Sequence, residues 1–205
     1  MEMQVLNTTN KQRRTLFPTS LFECDVEVND ELNREWQVYI EEHVGKIGAE
    51  NLGLTPTNLQ TVDLFKPLVD TVIANAEGIL EVLGYEKQKL EVSGLWGNVQ
   101  QPNGRHRVHS HPNNYFSFCY YAQTGNGDCL TFHDFRPEHI IPKIKVFNDH
   151  NAASYLIDVY PKKLLMWPSW VKHEVIENPN YRVSMGGNIR IPKVLEAGSH
   201  GCMAQ

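Results

Sequence analysis

The stretch KLLMWPSWVKHEVIENPNYRVSMGGNIRI, residues 163 to 191, contains three short apolar and β-branched runs separated by proline, serine and asparagine. Runs of this length between turn-forming residues predict β-strands. Five further runs of the same kind occupy residues 90 to 161. Eight strands at this spacing favour a mainly β fold with α additions, and within that class a double-stranded β-helix, or jelly roll.

Two helices are predicted ahead of these strands. Asn29 or Asp30 can cap the first helix, whose apolar positions Leu32, Trp36, Tyr39 and Ile40 follow helical spacing. The second helix covers roughly residues 64 to 83, with Pro67 in its first turn and Gly84 as its stop. Its apolar stripe consists of Leu68, Val72, Ala76, Ile79, Leu80 and Leu83. We expect both helices to cover the outside of one sheet.

A chain of 205 residues is most simply one domain. Residues 1–89 are expected to form an extended segment and the two helices, residues 90–192 the β core, and residues 193–205 a tail. The segment 136–152 is long and polar. Loops of that kind often act as lids or binding elements.

The composition argues against several classes of partner. The chain has 19 basic and 24 acidic residues, a formal charge of −5, and no long run of like charge, so nucleic-acid or anionic-membrane binding is not expected. No apolar run approaches the roughly 20 residues of a membrane-spanning helix. Four cysteines without a CxxC pair, and no signal-like N-terminus, predict free thiols in a cytoplasmic protein.

The histidines at positions 109, 111 and 173 have the spacing of a metal site. Alternate residues of a strand point to one side, so His109 and His111 present two imidazoles into one space if the strand continues through Ser110. His173 begins a later predicted strand. Metal sites in double-stranded barrels combine such a close pair with one distant histidine and leave one side of the ion open. A histidine pair held only by hydrogen bonds is the alternative.

Arg182 and Ser184 lie two residues apart and therefore on one face of the last predicted strand. If that face lines the barrel, the guanidinium needs an anion, because an unpaired buried charge is strongly destabilising. A carboxylate bound through two hydrogen bonds is the natural partner. Orientation of Arg182 toward solvent is the alternative, and the motif alone does not choose between the two.

With these residues identified, the sequence resembles the iron(II)/2-oxoglutarate-dependent oxygenases, and within them a group of about this length. The likeness covers most of the chain. It is carried by LFPT (16–19), by WGNVQQPNGRHRVHSHPNNYFSFCYY (96–121) with its HxHP and tyrosine pair, and by residues 159–191. The last stretch is the most specific, because PSW, a histidine, RxS and a terminal asparagine occur in order.

The resemblance implies an enzyme that uses Fe(II), 2-oxoglutarate and O2 to hydroxylate a small-molecule or side-chain substrate, which the sequence does not identify. It implies that His109 and His173 are iron ligands, and that Arg182 with Ser184 binds the distal carboxylate of 2-oxoglutarate. Further positions that match cosubstrate-binding residues are Tyr121 or Tyr120, and Asn98.

Position 111 departs from the wider superfamily, where an aspartate or glutamate usually completes the iron site. Three neutral imidazoles leave the iron one unit more positive than two imidazoles and a carboxylate would. By pattern, Asp134 is the nearest spare carboxylate, although an aspartate at a strand end more often caps a turn. Whether His111 or a carboxylate such as Asp134 is the third ligand stays open.

Two other functions compete with the oxygenase. One is a cupin-like three-histidine metal enzyme that works without 2-oxoglutarate, because residues 104–111 come within one position of the cupin histidine pattern. The other is a metal-binding jelly roll without turnover. Arg182 discriminates, since only the oxygenase needs it for keto-acid binding.

The remaining expectations concern the surroundings of the site. The other histidines are interpreted as surface or hydrogen-bonding residues: His43, His106, His133, His139, His150 and His200. Candidate pocket-lining aromatic residues, with plain core packing as the alternative, are Trp167, Trp170, Phe118 and Tyr120. Metal binding should weaken below about pH 6, because imidazole must be deprotonated to ligate. Homodimerisation is left open.

Overall fold

The computed structural model of the protein describes residues 17–134 and 143–192, and these contain ten β-strands and two α-helices. The helices are α1 (Asp30–His43) and α2 (Lys66–Val82). The strands are β1 (Phe22–Asp25), β2 (Leu52–Leu54), β3 (Glu91–Gln100), β4 (Gly104–His109), β5 (Phe116–Gln123), β6 (Cys129–His133), β7 (Ser154–Asp158), β8 (Lys163–Pro168), β9 (His173–Asn178) and β10 (Arg182–Arg190). All eight strands predicted for the β core form, as β3 to β10.

The strands make two facing antiparallel sheets. One has six strands in the order β1-β8-β5-β10-β3-β2, and the other has four in the order β4-β9-β6-β7. The chain crosses repeatedly from one sheet to the other, which is the connectivity of a jelly roll. The predicted mainly β fold with α additions is therefore confirmed.

Both helices form close to where the pattern predicts them. The Asn29 side chain caps α1 by accepting a hydrogen bond from the Leu32 amide at 2.7 Å. Helix α2 begins at Lys66, and Gly84 ends it with a φ of 79°. The predicted stripe of α2 was wrong at Leu83, which is 40% exposed because the helix has already ended at Val82.

The helices cover the outer face of the six-stranded sheet, as expected. Trp36 of α1 packs edge-on against Tyr120 of β5, with ring centroids 5.5 Å apart, and both side chains are buried. Asn33 and Gln37 of α1 each donate a hydrogen bond to the Ala122 carbonyl at 3.1 Å. Burial of a large apolar side chain such as Trp36 stabilises the fold by about 1.5–3 kcal/mol.

Alternation along β5 separates the two neighbouring tyrosines. Phe116, Phe118 and Tyr120 belong to the core beneath the helices, whereas Tyr121 packs in a second cluster between the sheets. Adjacent residues of a strand point to opposite faces, so only one of the two tyrosines can face the interior. Tyr121 does so, and the alternative Tyr120 is excluded.

Strand β2 was not predicted from the sequence, because it lies in a segment rich in glycine, asparagine and proline. It pairs with β3, and a Cβ at Gly53 would come within 2.7 Å of Ile47 and Val44 side-chain atoms.

Within the described residues, no helix is long and apolar enough to cross a membrane. The predicted tail 193–205 and residues 136–142 of the predicted lid lie outside the described residues.

Candidate metal centre and cosubstrate cavity

Three histidines converge at one end of the space between the sheets. His109 is the last residue of β4 and His173 the first residue of β9, and the two lie directly opposite each other in the pairing of these strands. His111 follows two residues after β4. One ring nitrogen from each of the three histidines can be chosen so that all lie within 4.8 Å of one another. A single metal ion fits among ligand atoms at this separation.

The path by which His111 reaches this group differs from the prediction. Strand β4 ends at His109, so the condition that it continue through Ser110 is not met. Instead, the His111 amide donates a hydrogen bond to the Ser169 carbonyl at 2.9 Å, and the Ser169 amide donates to the Tyr115 carbonyl at 3.0 Å. The turn after β8 therefore fixes the position of the loop that follows β4 and begins with the HSH motif (109–111), here called the HSH loop.

A buried polar network lies beneath this turn. The Ser117 hydroxyl donates to Asn188 Oδ1 at 2.8 Å and lies 2.9 Å from the Ser169 hydroxyl. Ser169 and Asn188 are the serine of PSW and the terminal asparagine among the sequence motifs. These motif residues support the loop that carries His111.

Backbone carbonyl groups orient two of the imidazole rings. His173 Nδ1 lies 3.1 Å from the Val171 carbonyl, and His109 Nδ1 lies 2.6 Å from the Arg107 carbonyl. A neutral imidazole that donates from Nδ1 presents the lone pair of Nε2. Both rings are thus arranged to ligate through Nε2.

The electrostatics also suit a metal site. Burial, and then the neighbouring His109 ring, lower the pKa of His173 to about 3 and that of His111 to about 4. These imidazoles are therefore neutral at pH 7, which is the state that binds a metal. The three histidines satisfy the spacing that Fe(II) ligation requires, and His111 and His173 also have the required protonation.

A cavity with about 530 Å³ of empty space, partly open to solvent, extends from the histidines along β3 and β10. The register of these strands sets the order of its lining. Trp96 lies opposite Gly186, Asn98 opposite Ser184, and Gln100 opposite Arg182. Four residues of strand, or about 13 Å, separate the first pair from the last. Trp96 packs near His111, with ring centroids 5.6 Å apart. The backbone of Arg182 therefore lies at the end of the cavity that is farther from the histidines.

Arg182 points into this cavity and is only 4% exposed. Its Nη2 donates to Gln100 Oε1 at 2.5 Å, and its Nη1 donates to the Cys129 carbonyl at 3.3 Å. No carboxylate of the described residues forms an ion pair with it. The alternative of a solvent-facing Arg182 is therefore excluded, and its charge is available to an anion that enters the cavity.

The neighbours of Arg182 add further hydrogen-bond donors. Ser184 lies beside Asn98, whose Nδ2 is 3.4 Å from the Ser184 hydroxyl. The Tyr121 hydroxyl is buried without a hydrogen-bond partner, and burial raises its pKa well above the ordinary value, so it stays protonated. Gln100 Nε2 and Trp167 Nε1 are also buried without partners. Unpaired donors beside an uncompensated guanidinium fit an acceptor-rich dianion such as 2-oxoglutarate.

Sequence reasoning missed two residues of this cavity. His106 was interpreted as a surface or hydrogen-bonding residue, but it is half-buried and lines the cavity, with its ring centroid 4.3 Å from that of His109. The register of β4 against β9 shifts on both sides of His106. These irregularities place His106 and His109 on the same face of the strand, although residues three positions apart normally lie on opposite faces. Gln100 gave no local signal, since its relation to Arg182 arises only from the pairing of β3 with β10.

The remaining predicted residues separate as follows. His133 pairs with Glu174 at 2.9 Å, and His43 stacks on Tyr39, so both are hydrogen-bonding or surface residues as expected. His139 and His200 lie outside the described residues. Trp167 and Phe118 line the cavity, whereas Tyr120 packs in the core beneath the helices and Trp170 is half exposed.

Asp134 does not belong to the three-histidine group. With Asp149, His150 and Trp167, it lines a second cavity of about 1900 Å³ of empty space that includes open solvent. Trp167 is common to both cavities, so the second one lies next to the histidines. The described part of the predicted lid therefore borders the candidate site, although its action as a lid stays a prediction.

Comparison with known proteins agrees with this geometry. Residues 94–188, just under half of the chain, match the family described as "Putative 2OG-Fe(II) oxygenase". This segment extends from β3 to β10 and contains every residue proposed for the metal and the cosubstrate. A comparison with curated protein sequences gave no match.

Solved structures of low sequence identity share the fold. A prolyl-4-hydroxylase from Pseudomonas putida has a TM-score of 0.60 and 14% identity over 85% of this chain and 94% of that one. HygX from Streptomyces hygroscopicus, with nickel and 2-oxoglutarate bound, has a TM-score of 0.63 and 10% identity over 85% and 84%. A prolyl hydroxylase from Trichoplax adhaerens, in complex with a hypoxia inducible factor peptide fragment, has a TM-score of 0.56 and 13% identity over 83% of each chain.

The fold and the site define a jelly-roll protein in which a three-histidine group and a buried arginine line one cavity. Residues 94–188 match the 2OG-Fe(II) oxygenase family, in agreement with the resemblance found in the motifs. This match indicates an iron(II)- and 2-oxoglutarate-dependent oxygenase whose substrate is unidentified.

Proposed function

We propose that His109, His111 and His173 hold the iron, and that Arg182 and Ser184 bind the distal carboxylate of 2-oxoglutarate. Tyr121 and Asn98 line the same cavity and complete the set of cosubstrate contacts. One observation carries the proposal: a three-histidine group and a buried arginine, which has no acidic partner among the described residues, share one cavity.

When bound, Fe(II) supplies O2 activation coupled to decarboxylation of the keto acid to succinate and CO2, and with it the hydroxylation of a substrate C–H bond. The chain supplies binding and orientation. Arg182 neutralises the distal carboxylate, and Ser184 with Tyr121 donates hydrogen bonds to it. Trp96 and Trp167 restrict water around the histidines.

His111 gives the site a different charge from that of the wider superfamily. With three neutral imidazoles, Fe(II) keeps its full double positive charge instead of losing one unit to a carboxylate ligand. Together with Arg182, the loaded cavity therefore attracts a dianion more strongly than a site with a carboxylate ligand would. This charge supports 2-oxoglutarate as the cosubstrate.

Production of succinate tests the proposal. Iron-loaded protein incubated with 2-oxoglutarate and O2 should release succinate slowly without substrate and faster with an accepted one. The Arg182→Ala variant should keep iron and lose keto-acid binding. Arg190→Ala is the matched control, because Arg190 lies on the same strand but outside the cavity, paired with Glu91. An Arg182→Ala variant that binds the keto acid normally would contradict the proposal.

The cupin-like alternative rests on the near match of residues 104–111 to the cupin histidine pattern and on the third histidine in place of a carboxylate. It predicts a metal-dependent activity that does not respond to 2-oxoglutarate or to loss of Arg182. A protein that binds metal but shows no turnover, with or without 2-oxoglutarate, would instead support the non-catalytic jelly roll. The burial of Arg182 in the metal-site cavity favours the oxygenase over both.

A reducing compartment suits this chemistry. Cys24, Cys119 and Cys129 are free thiols, and the last two lie on strands of different sheets. Free thiols and an Fe(II) site are both compatible with the cytoplasm. Cytoplasmic localisation is therefore part of the proposal, whereas homodimerisation stays a prediction.

A further inference from the structure

Gln100 is buried at the end of the cavity that Arg182 occupies. It is the last residue of β3, it lies opposite Arg182 in the register of β3 and β10, and it is 1% exposed. Its side chain lines the cavity. The residue is therefore close enough to affect both the guanidinium and whatever the guanidinium binds.

The contact with Arg182 determines how the Gln100 amide is turned. A guanidinium can only donate hydrogen bonds, so the amide oxygen must face it, and Oε1 accepts from Arg182 Nη2. The amide nitrogen then points away from the guanidinium. Nε2 is buried and has no partner among the described residues. An amide nitrogen buried in this way needs an acceptor, which a bound ligand or an ordered water can supply.

A second unpaired donor lies nearby. The Arg182 guanidinium carbon is 5.8 Å from the centre of the Tyr121 ring, and the Tyr121 hydroxyl is likewise buried and unpaired. Arg182 keeps further N–H groups beyond the two that bond Gln100 and Cys129. This end of the cavity therefore offers donors and a positive charge, and no carboxylate in the described part of the chain forms an ion pair with Arg182.

We propose that Gln100 positions Arg182 and donates its free Nε2 hydrogen to the distal carboxylate of the keto acid. This inference rests on the proposed function and adds a cosubstrate-positioning residue to it. A neutral amide is suited to both tasks, because it orients the guanidinium without neutralising its charge. A glutamate of the same shape would form an internal ion pair with Arg182 and present an acceptor where the cosubstrate needs a donor.

Affinity for two keto acids tests the inference. The dissociation constants of 2-oxoglutarate and of pyruvate, which lacks a distal carboxylate, are measured by calorimetry on protein loaded with Mn(II), which replaces iron without turnover. Gln100→Glu should weaken 2-oxoglutarate binding by at least about tenfold, because like charges then face each other. Binding of pyruvate and of Mn(II) should stay within about twofold, since both are held at the histidine end.

Two further variants complete the experiment. Gln101→Glu makes the same charge change one residue away and should leave both affinities unchanged. Gln100→Met keeps the size of the side chain without its amide, so it should weaken 2-oxoglutarate selectively even if Gln100→Glu does not fold.

The outcomes separate this inference from the proposed function. Wild-type binding of 2-oxoglutarate that is lost in Arg182→Ala but kept in both Gln100 variants would overturn the role of Gln100 alone. Failure of the wild-type protein to bind 2-oxoglutarate would overturn the proposed function and this inference together. Equal losses for 2-oxoglutarate and pyruvate would assign Gln100 a merely structural role and would also overturn the inference.

Discussion

His109 and His173 face each other across two adjacent antiparallel strands, with their ring centroids 4.3 Å apart. The pairing of β4 with β9 thus brings together residues 64 positions apart in the sequence and leaves His111, on the following loop, to close the group. In the proposed metal centre, the paired strands therefore fix two of the ligands, and the loop after β4 positions the third.

Replacement of His173 should abolish metal binding. In His173→Ala we expect Fe(II) affinity to fall by more than about 100-fold, because loss of a direct ligand should exceed the effect of losing an outer hydrogen-bond partner. The measurement is metal content and metal affinity by calorimetry. His133→Ala is the matched control, since His133 pairs with Glu174 outside the three-histidine group. Equal metal affinity in the two variants would exclude His173 as a ligand.

The metal-free protein should lose stability in mild acid. The pKa of His106 is lowered to about 4 by burial, like that of His111, and His173 is lower still. Between about pH 6.5 and pH 4 the unfolded chain, with ordinary imidazole pKa values, binds more protons than the folded chain. The free energy of unfolding should therefore be largest above pH 6.5 and fall as the pH drops toward 4.

The same lowered pKa values refine the expected pH dependence of metal binding. Because His111 and His173 are still neutral at pH 6 in the folded protein, metal should be retained to about pH 5, below the limit expected from an ordinary imidazole. Denaturant titrations and metal analysis across pH 4 to 8 check both statements. A stability independent of pH over this range would contradict the burial of these rings.

The glycine at position 186 provides space for Trp96 next to His111. A Cβ at Gly186 would come 2.9 Å from the Trp96 ring. We expect Gly186→Ala to displace the indole, cost about 1–3 kcal/mol of stability and weaken metal binding through His111. Gly78→Ala in α2 is the control. Nothing lies within 4 Å of its added Cβ, so it should gain up to about 1 kcal/mol without changing metal affinity.

The serine at position 117 should matter for the HSH loop without contacting a ligand of the metal. Ser117→Ala leaves Asn188 Oδ1 and the Ser169 hydroxyl without their buried partner. We expect a loss of about 1–3 kcal/mol in thermal or denaturant unfolding and a smaller decrease in metal affinity. Thr71→Ala is the control, because the Thr71 hydroxyl bonds the Pro67 carbonyl within α2, away from the Ser117 network. Equal metal affinity and stability in both variants would contradict the supporting role of the Ser117 network.

The local pattern was sufficient for the elements and for part of the site. Turn residues around apolar runs located all strands of the β core, and capping and stripe patterns located both helices. Contacts between segments that are distant in the sequence could not be predicted from the local pattern. Gln100 acquires its role only from the register of β3 against β10, and His106 enters the cavity only because β4 is irregular. Short β2 lies among loop-forming residues, where pairing with β3 outweighs local preference.

Which of two neighbouring residues faces the cavity likewise could be decided only from the fold. Tyr120 and Tyr121 are equivalent in the sequence motif, and the position of the helices decides which one faces the cavity. The direction of Arg182 is a similar case, because a strand has two faces and only packing distinguishes them. The identity of the substrate depends on loops, including residues 136–142, which lie outside the described part.

Anomalous diffraction from a crystal of iron-loaded protein, soaked with 2-oxoglutarate without O2, tests the central claim most directly. We predict one iron peak at coordination distance from His109, His111 and His173, with the distal carboxylate of the keto acid on Arg182. Iron bound elsewhere, iron bound by Asp134 in place of His111, or a keto acid that does not contact Arg182 would contradict it.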